Sequence, residues 1–350
     1  MATEHLLLGR GGCHDRHSGL SERSLSPAGP STVVRYPEPE SCISVRPTKE
    51  QSRHWTNCLG VCHFTAQRTI EHCLPRAHRI INMRGLINVG THCAVNSVLQ
   101  CLYVTDDFRI TVLRDMDRNT PGMPPCDPNP LVDALIRYSG MTYEVQQDAD
   151  TVFKCVLNAL ADDGDPRCKQ ASGLWTIRKQ QSAKCSTCNA ECVSHHAANN
   201  VIVYIGNNEP NKLQDYMDDY SESFRVSDYH CGTCQEETEL NVTTDITELP
   251  AVLCFTVARG QRCAQRGELM VNTGAIDVPE ELDCSRMCAT SQPTKYELYG
   301  MITHTGPYEF GHYAAFVKKM SKWYFVDGDV VKQCPVLPLS YYNVPAHLSC

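Results

Sequence analysis

A chain of 350 residues can bury a sizeable core, in one large domain or in two ordinary ones. Its 32 Lys and Arg against 40 Asp and Glu give a net charge of −8 and a pI near 5.9, which argues against a nucleic-acid partner, and no apolar run reaches the length of a membrane span. "HLLLG" near the start is too short for a signal-peptide core, so the 21 cysteines read as mostly reduced thiols of an intracellular protein, expected in the cytoplasm, rather than as a disulfide scaffold.

Residues 1–82 are rich in Arg, His, Ser and Pro, and "SLSPAGPSTVVRYPEPESC" reads as part of a disordered N-terminal extension. Within it Cys58, Cys62, His72 and Cys73 fit no familiar metal-binding spacing. At "MRGLINVG" the character changes, and Met83 is the predicted edge of a folded domain spanning 83–350. From Cys93 onward Val95, Val98, Leu99 and Leu102 recur at helical spacing, while Asn88, Gly90 and Thr91 read as a turn into the helix start. Cys93 then falls in the first turn, where unpaired N–H groups and the positive dipole end favour a thiolate. A structural cysteine would lie mid-helix among apolar positions, as Cys101 does. Nucleophile and buried thiol both stand as readings of Cys93.

Helical patterns continue through "PLVDALIRYSG" and "DADTVFKCVLNAL". Strand-like runs follow: "NNVIVYIG", "LPAVLCFTVAR", "YELYGMITH", "HYAAFVKK" and "KWYFVDGDVV". Helices first and strands later predict an α+β fold, with helices grouped against an antiparallel sheet.

Two constellations carry chemistry. "CSTC" (Cys185, Cys188) and "CGTC" (Cys231, Cys234) are paired C-x-x-C knuckles, and four such thiolates match a closed, structural zinc site with no open position for catalysis. "GHYAAFVKKMSKWYFVD" predicts a β-hairpin. A turn centred between Lys319 and Met320 pairs Phe316 with Trp323 and His312 with Asp327, all on one face. A carboxylate holding an imidazole beside a cysteine is the orienter, base and nucleophile set of acyl transfer. A surface histidine that merely neighbours an acidic loop is the alternative.

Taken together these segments resemble the ubiquitin-specific proteases. "GLINVGTHCAVNSVLQCL" is similar to that family's cysteine box, G-L-x-N-x-G-N-T-C-Y-M-N-S-x-L-Q-x-L, and "QQDADTVF" (146–153) to its Q-Q-D-A-H-E-F segment. "LPAVLCFTVAR" resembles its L-P-x-x-L-x-x-x-L-x-R strand, "YELYGMITHTGPYEFGHYAAFV" with "WYFVDGDVV" its histidine box, and the two knuckles its zinc-bearing fingers. The match runs in order over about residues 84 to 335.

The resemblance implies a papain-like cysteine protease with thumb, palm and zinc-bearing fingers, the fingers at about 181–245. Cys93 matches the nucleophile, His312 the general base, Asp327 its orienting partner and Asn88 the oxyanion donor. Gly311, before His312, is expected to allow close approach of the substrate's flexible C-terminal tail. It also implies structural zinc, no catalytic cofactor, and ubiquitin or a ubiquitin-like modifier and its conjugates as partners; the nucleus is a second expected location beside the cytoplasm. "GLWTIRKQQSAKCSTC" and "VTDDFRITVLRDM" resemble the interferon-induced branch, which removes a two-domain ubiquitin-like modifier and dampens signalling at the interferon-receptor complex. General deubiquitination and a catalytically weak signalling scaffold are the alternatives.

The chain departs from the pattern at His92, Ala94, Val95, Asp150 and Gly328. It also shows no counterpart of the family's closing A-Y-x-L-x-Y strand, so either the fold tolerates an open edge on the sheet carrying His312 or the chain is an atypical gene product.

Overall fold

The computed structural model describes the backbone of residues 58–66 and then residues 83–112, 124–142, 146–205, 211–262, 269–272, 274–288, 294–306, 311–335, 337 and 340–341. After strand β1 (Cys58–Ala66) come five helices: α1 (Cys93–Val104), α2 (Asp106–Val112), α3 (Asn129–Ser139), α4 (Ala149–Asp162) and α5 (Pro166–Gly173). Next are β2 (Ile177–Cys185), β3 (Glu191–Ala198), β4 (Val201–Tyr204), β5 (Asn211–Lys212), α6 (Leu213–Asp218), β6 (Glu222–His230) and β7 (Glu237–Glu248). The chain continues with β8 (Val252–Ala258), β9 (Gly260–Arg262), β10 (Leu269–Val271), β11 (Ile276–Asp277) and β12 (Glu281–Asp283). Last are β13 (Lys295–Thr305), β14 (His312–Lys319), β15 (Lys322–Asp327), β16 (Val330–Cys334) and β17 (Ser340–Tyr341). The expected α+β order, helices before strands, is present from Cys93 onward.

The main sheet runs β16-β15-β14-β13-β1-β8-β4, with β12 pairing β13. Period-two alternation splits its side chains between two cores. On one face Val252, Cys254, Ile302, Ala315 and Val317 meet the helical layer through Ala94, Val98, Leu102, Val152 and Phe153. On the other, Leu253, Phe255, Val257, Leu298, Met301 and Trp323 pack with Ile177, Val201 and Met217. β8 is buried along its whole length, which is why it reads as an unbroken apolar run. Trp175 anchors the helical core, edge-on to Phe108 and Phe153 at 5.7 and 5.8 Å between ring centroids. A separate four-stranded antiparallel sheet, β3-β2-β7-β6, carries the two knuckles in the turns β2–β3 and β6–β7. In β7 every second residue from Leu240 to Ile246 is buried, the pattern of a strand covered on one face.

Two expectations are corrected. The segment Cys58–Ala66, assigned from sequence to the extension before Met83, is a strand inside the main sheet, antiparallel to β13 and β8 on either side. Nine residues between polar stretches carry too little periodicity to announce a strand whose partners lie some 190 and 240 residues away in sequence. Residues 1–57 and 67–82, with His72 and Cys73, lie outside the described residues.

The hairpin register also differs. Met320 and Ser321 both take positive φ, 48° and 60°, the two-residue loop whose twist suits a hairpin. Lys319 therefore faces Lys322, Phe316 faces Phe325 and Lys318 faces Trp323. A shift of two residues preserves the faces, so His312 and Asp327 remain on one side as diagonal neighbours. β14, the strand carrying His312, is flanked by β13 and β15, and the main sheet ends on that side at β16.

Candidate active site

Cys93 is the first residue of α1, as the sequence predicts, and is 4% exposed. The helix lies against β14, whose first residue is His312. His312 Nε2 is 2.6 Å from Asp327 Oδ1, at the end of β15. Cys93 in turn hydrogen-bonds the His312 side chain. Nucleophile candidate, base candidate and carboxylate are therefore joined through the His312 side chain.

The electrostatics follow from these contacts. Burial pushes the Cys93 thiol up. Hydrogen bonds from His312, the Tyr313 backbone N–H and Gln146, with the imidazolium charge, outweigh that and hold it below its ordinary value. The bond to Asp327, then the bond to Cys93, raise His312 to about 10 against the cost of burial. A thiolate–imidazolium pair is the resting state this arrangement favours. His304, one strand over, is pushed down to about 4 by burial and by the charge of His312, so it stays neutral and packs on Tyr313 at 4.6 Å between ring centroids.

That packing explains Gly311. A Cβ there would fall 1.9 Å from His304 Nε2 and 2.7 Å from the Thr305 carbonyl oxygen. The glycine is required by its own neighbours, independently of any substrate tail.

Asn88 sits exposed on the loop 84–90. Two polar side chains of α1 hold that loop: Asn96 Nδ2 donates to the Ile87 carbonyl at 3.2 Å and Gln100 Nε2 to the Arg84 carbonyl at 2.8 Å. From the other side Leu86 N–H donates to the Gly328 carbonyl at 2.8 Å, just after Asp327. Asn88 is thus placed between the helix bearing Cys93 and the turn following Asp327, and Gly328, in positive φ, leaves room for its Cβ.

Two residues of "QQDADTVF" brace the site. Asp148 caps α4, accepting from the Asp150 and Thr151 N–H groups, and also accepts from Tyr313 O–H at 3.3 Å, next to His312. Asp150 is buried and accepts from Asn200, Thr256 and Lys154 at 2.7, 2.9 and 2.8 Å, tying the helical layer to β8. Gln146 reaches Cys93 itself, at 2.9 Å. Sequence reasoning quoted it within a motif without giving it a role.

The four knuckle cysteines converge, their sulfurs all within 4.8 Å of one another. Cys188–Cys231 and Cys185–Cys234 are 3.7 and 4.0 Å apart. A tetrahedron with Zn–S bonds of about 2.3 Å has edges of about 3.8 Å. The cluster therefore fits a four-thiolate metal site at the end of the four-stranded sheet.

Together, an activated thiol, an imidazole and an orienting carboxylate define a cysteine hydrolase acting on acyl groups. The family model described as ubiquitin carboxyl-terminal hydrolase matches residues 84–137 and 122–340, and the chain belongs to that family, whose members are cysteine-type hydrolases. Its fold is the family's: a helical thumb, a palm formed by the main sheet, and fingers formed by the four-stranded sheet.

The chain is 27% identical over 280 residues to Ubl carboxyl-terminal hydrolase 18 of Mus musculus, covering 69% of this chain and 75% of that protein. To the protein of the same name from Pongo abelii it is 22% identical over 350 residues, covering 87% and 86%. A solved structure, that of the SAGA Ubp8/Sgf11/Sus1/Sgf73 DUB module bound to ubiquitin aldehyde, shares the fold with a TM-score of 0.56 at 20% identity, over 75% of this chain and 68% of that one. Among the described residues no helix is long and apolar enough to cross a membrane.

Proposed function

We propose that the chain is a thiol-dependent isopeptidase that removes an interferon-stimulated ubiquitin-like modifier from target lysines and thereby restrains interferon signalling. The observation that carries the chemistry is the buried Cys93 facing His312, itself 2.6 Å from Asp327. The resemblance of "GLWTIRKQQSAKCSTC" and "VTDDFRITVLRDM" to the interferon-induced branch, and two relatives named for a Ubl substrate, support the choice of modifier.

The thiolate of Cys93 attacks the carbonyl carbon joining the modifier's C-terminal residue to a lysine amine. A C–S bond forms, and the oxyanion accepts from the Asn88 carboxamide. His312 gives its proton to the lysine nitrogen, the C–N bond breaks, and a thioester remains. Water attacks that thioester, His312 takes its proton, and the C–S bond breaks to release a carboxylate and restore the thiolate.

The experiment uses two electrophilic probes, one ending in ubiquitin and one in the interferon-stimulated modifier, on the wild-type chain and on Cys93→Ala. Labelling by the second probe alone, lost in the variant, is the expected result. Equal labelling by both makes the protein a general deubiquitinase. A folded protein that takes neither probe is a binding scaffold, and the enzyme reading falls.

Zinc is the metal the four thiolates favour in the fingers, where it would crosslink the β2–β3 and β6–β7 turns and take no part in the chemistry. Metal analysis should return about one zinc per chain. A strong chelator, or Cys188→Ser, should release it and lower the melting temperature together. Unchanged melting after complete metal loss would remove zinc from the structural account.

A further inference from the structure

We propose that Gln146 is a catalytic residue: its carboxamide N–H groups hold the Cys93 sulfur as a thiolate and tie it to the strand that carries the base. This rests on the reading of Cys93 as nucleophile and adds a donor to it. Gln146 Nε2 lies 2.9 Å from Cys93 Sγ and 2.5 Å from the Gly311 carbonyl oxygen.

The Gly311 contact settles which way the amide points. A carbonyl oxygen only accepts, so the atom against it must be the NH2 group and not the amide oxygen. That group has two hydrogens, one for each partner. Gly311 is joined directly to His312, so one side chain spans from the sulfur to the backbone residue that precedes the base. Gln146 is itself well placed to be rigid: two residues on, Asp148 caps α4 and accepts from Tyr313.

The donor matters because of where Cys93 lies. A thiolate in a nearly dry site has lost most of its water and needs N–H groups in place of it. The sulfur has the His312 side chain, the Tyr313 backbone N–H and Gln146. Of these, only Gln146 is both uncharged and a side chain, so it donates at every pH and can be removed without altering the backbone. It also acts unevenly along the reaction. A thioester sulfur is a poor acceptor, so the Gln146 bond weakens on acylation and is regained when the thiolate leaves during hydrolysis. Loss of the donor should therefore lower kcat rather than raise KM.

The test follows alkylation of Cys93 by iodoacetamide across pH in the full chain, read on the Cys93 peptide by mass spectrometry. In that reaction the sulfur–carbon bond forms, the carbon–iodine bond breaks and iodide leaves, so the rate reports the thiolate fraction. Gln146→Met keeps the length and removes the donor, and Gln146→Glu keeps the shape and opposes the charge. Each should move the alkylation midpoint upward by about one pH unit or more, Glu the further, and reduce kcat about tenfold at neutral pH. If one variant fails to fold, the other supplies the profile.

Profiles that superpose on wild type, in protein whose hydrolysis is abolished by Cys93→Ala, overturn the role of Gln146 and leave the nucleophile in place. Hydrolysis surviving in Cys93→Ala overturns the nucleophile itself. The two failures are separate results.

Discussion

A chain started at Met83 is expected to lose cooperative unfolding and all hydrolase activity. Met83 looks like a natural beginning, since the family's motifs start immediately after it. The sheet order says otherwise. β1 lies between β13 and β8, with Val61 opposite Ile302 on one side and Thr256 on the other. Removing it strips hydrogen-bond partners from both neighbours in the middle of the palm, and each unpaired buried N–H or C=O costs about 1–3 kcal/mol. Several such losses together match the whole stability of an ordinary domain, about 5–15 kcal/mol. The damage would also reach the site, because β13 supports β14, where His312 begins.

A gentler version keeps the length. Val61→Pro removes one N–H from a strand paired on both sides, which a central position does not tolerate, at a cost of about 3 kcal/mol or more. Thermal unfolding by circular dichroism, with probe labelling in parallel, reads both changes. A Met83 chain with wild-type melting and labelling would show that the palm closes without β1.

The same strand marks the limit of what the sequence discloses. The cysteine helix was legible because Val95, Val98, Leu99 and Leu102 repeat at helical spacing, and the knuckles because C-x-x-C pairs announce themselves locally. β1 was not, because its reason for being a strand lies in partners far along the chain. The hairpin falls between these cases. Alternation put His312 and Asp327 on one face correctly, while the positive φ of Met320 and Ser321, residues with no glycine or asparagine signal, moved the register by two. Gly311 was singled out for a substrate tail, yet the ring of His304, on a neighbouring strand, suffices to require it. Gln146 needed coordinates altogether: nothing in "QQDADTVF" says that the first glutamine reaches a sulfur 53 residues earlier in the chain.

Substituting Asp327 should separate orientation from charge. In the wild type the reactive pair exists between two titrations, the loss of the Cys93 proton on the acid side and the loss of the His312 proton on the alkaline side. Cys93 lies below its ordinary value and His312 is raised to about 10, so kcat/KM should rise below the usual thiol range and hold until about pH 10. The bond to Asp327 is the largest cause of the His312 shift. Asp327→Asn keeps an acceptor for His312 Nε2 and removes the negative charge. The alkaline limb should then fall by more than a pH unit toward the ordinary imidazole range. The acid limb should creep upward, because a less persistent imidazolium stabilises the thiolate less.

Asp327→Ala removes the acceptor as well. The ring is then free to turn away from Cys93, and the loss at the pH optimum should reach about 10²–10⁴-fold, against about tenfold for Asn. Narrowing of the pH window in both variants, with deep loss only in Ala, assigns the carboxylate both duties. An alkaline limb that stays near pH 10 in Asp327→Asn would mean that Cys93 alone sustains the imidazolium, and that Asp327 acts only by holding the ring.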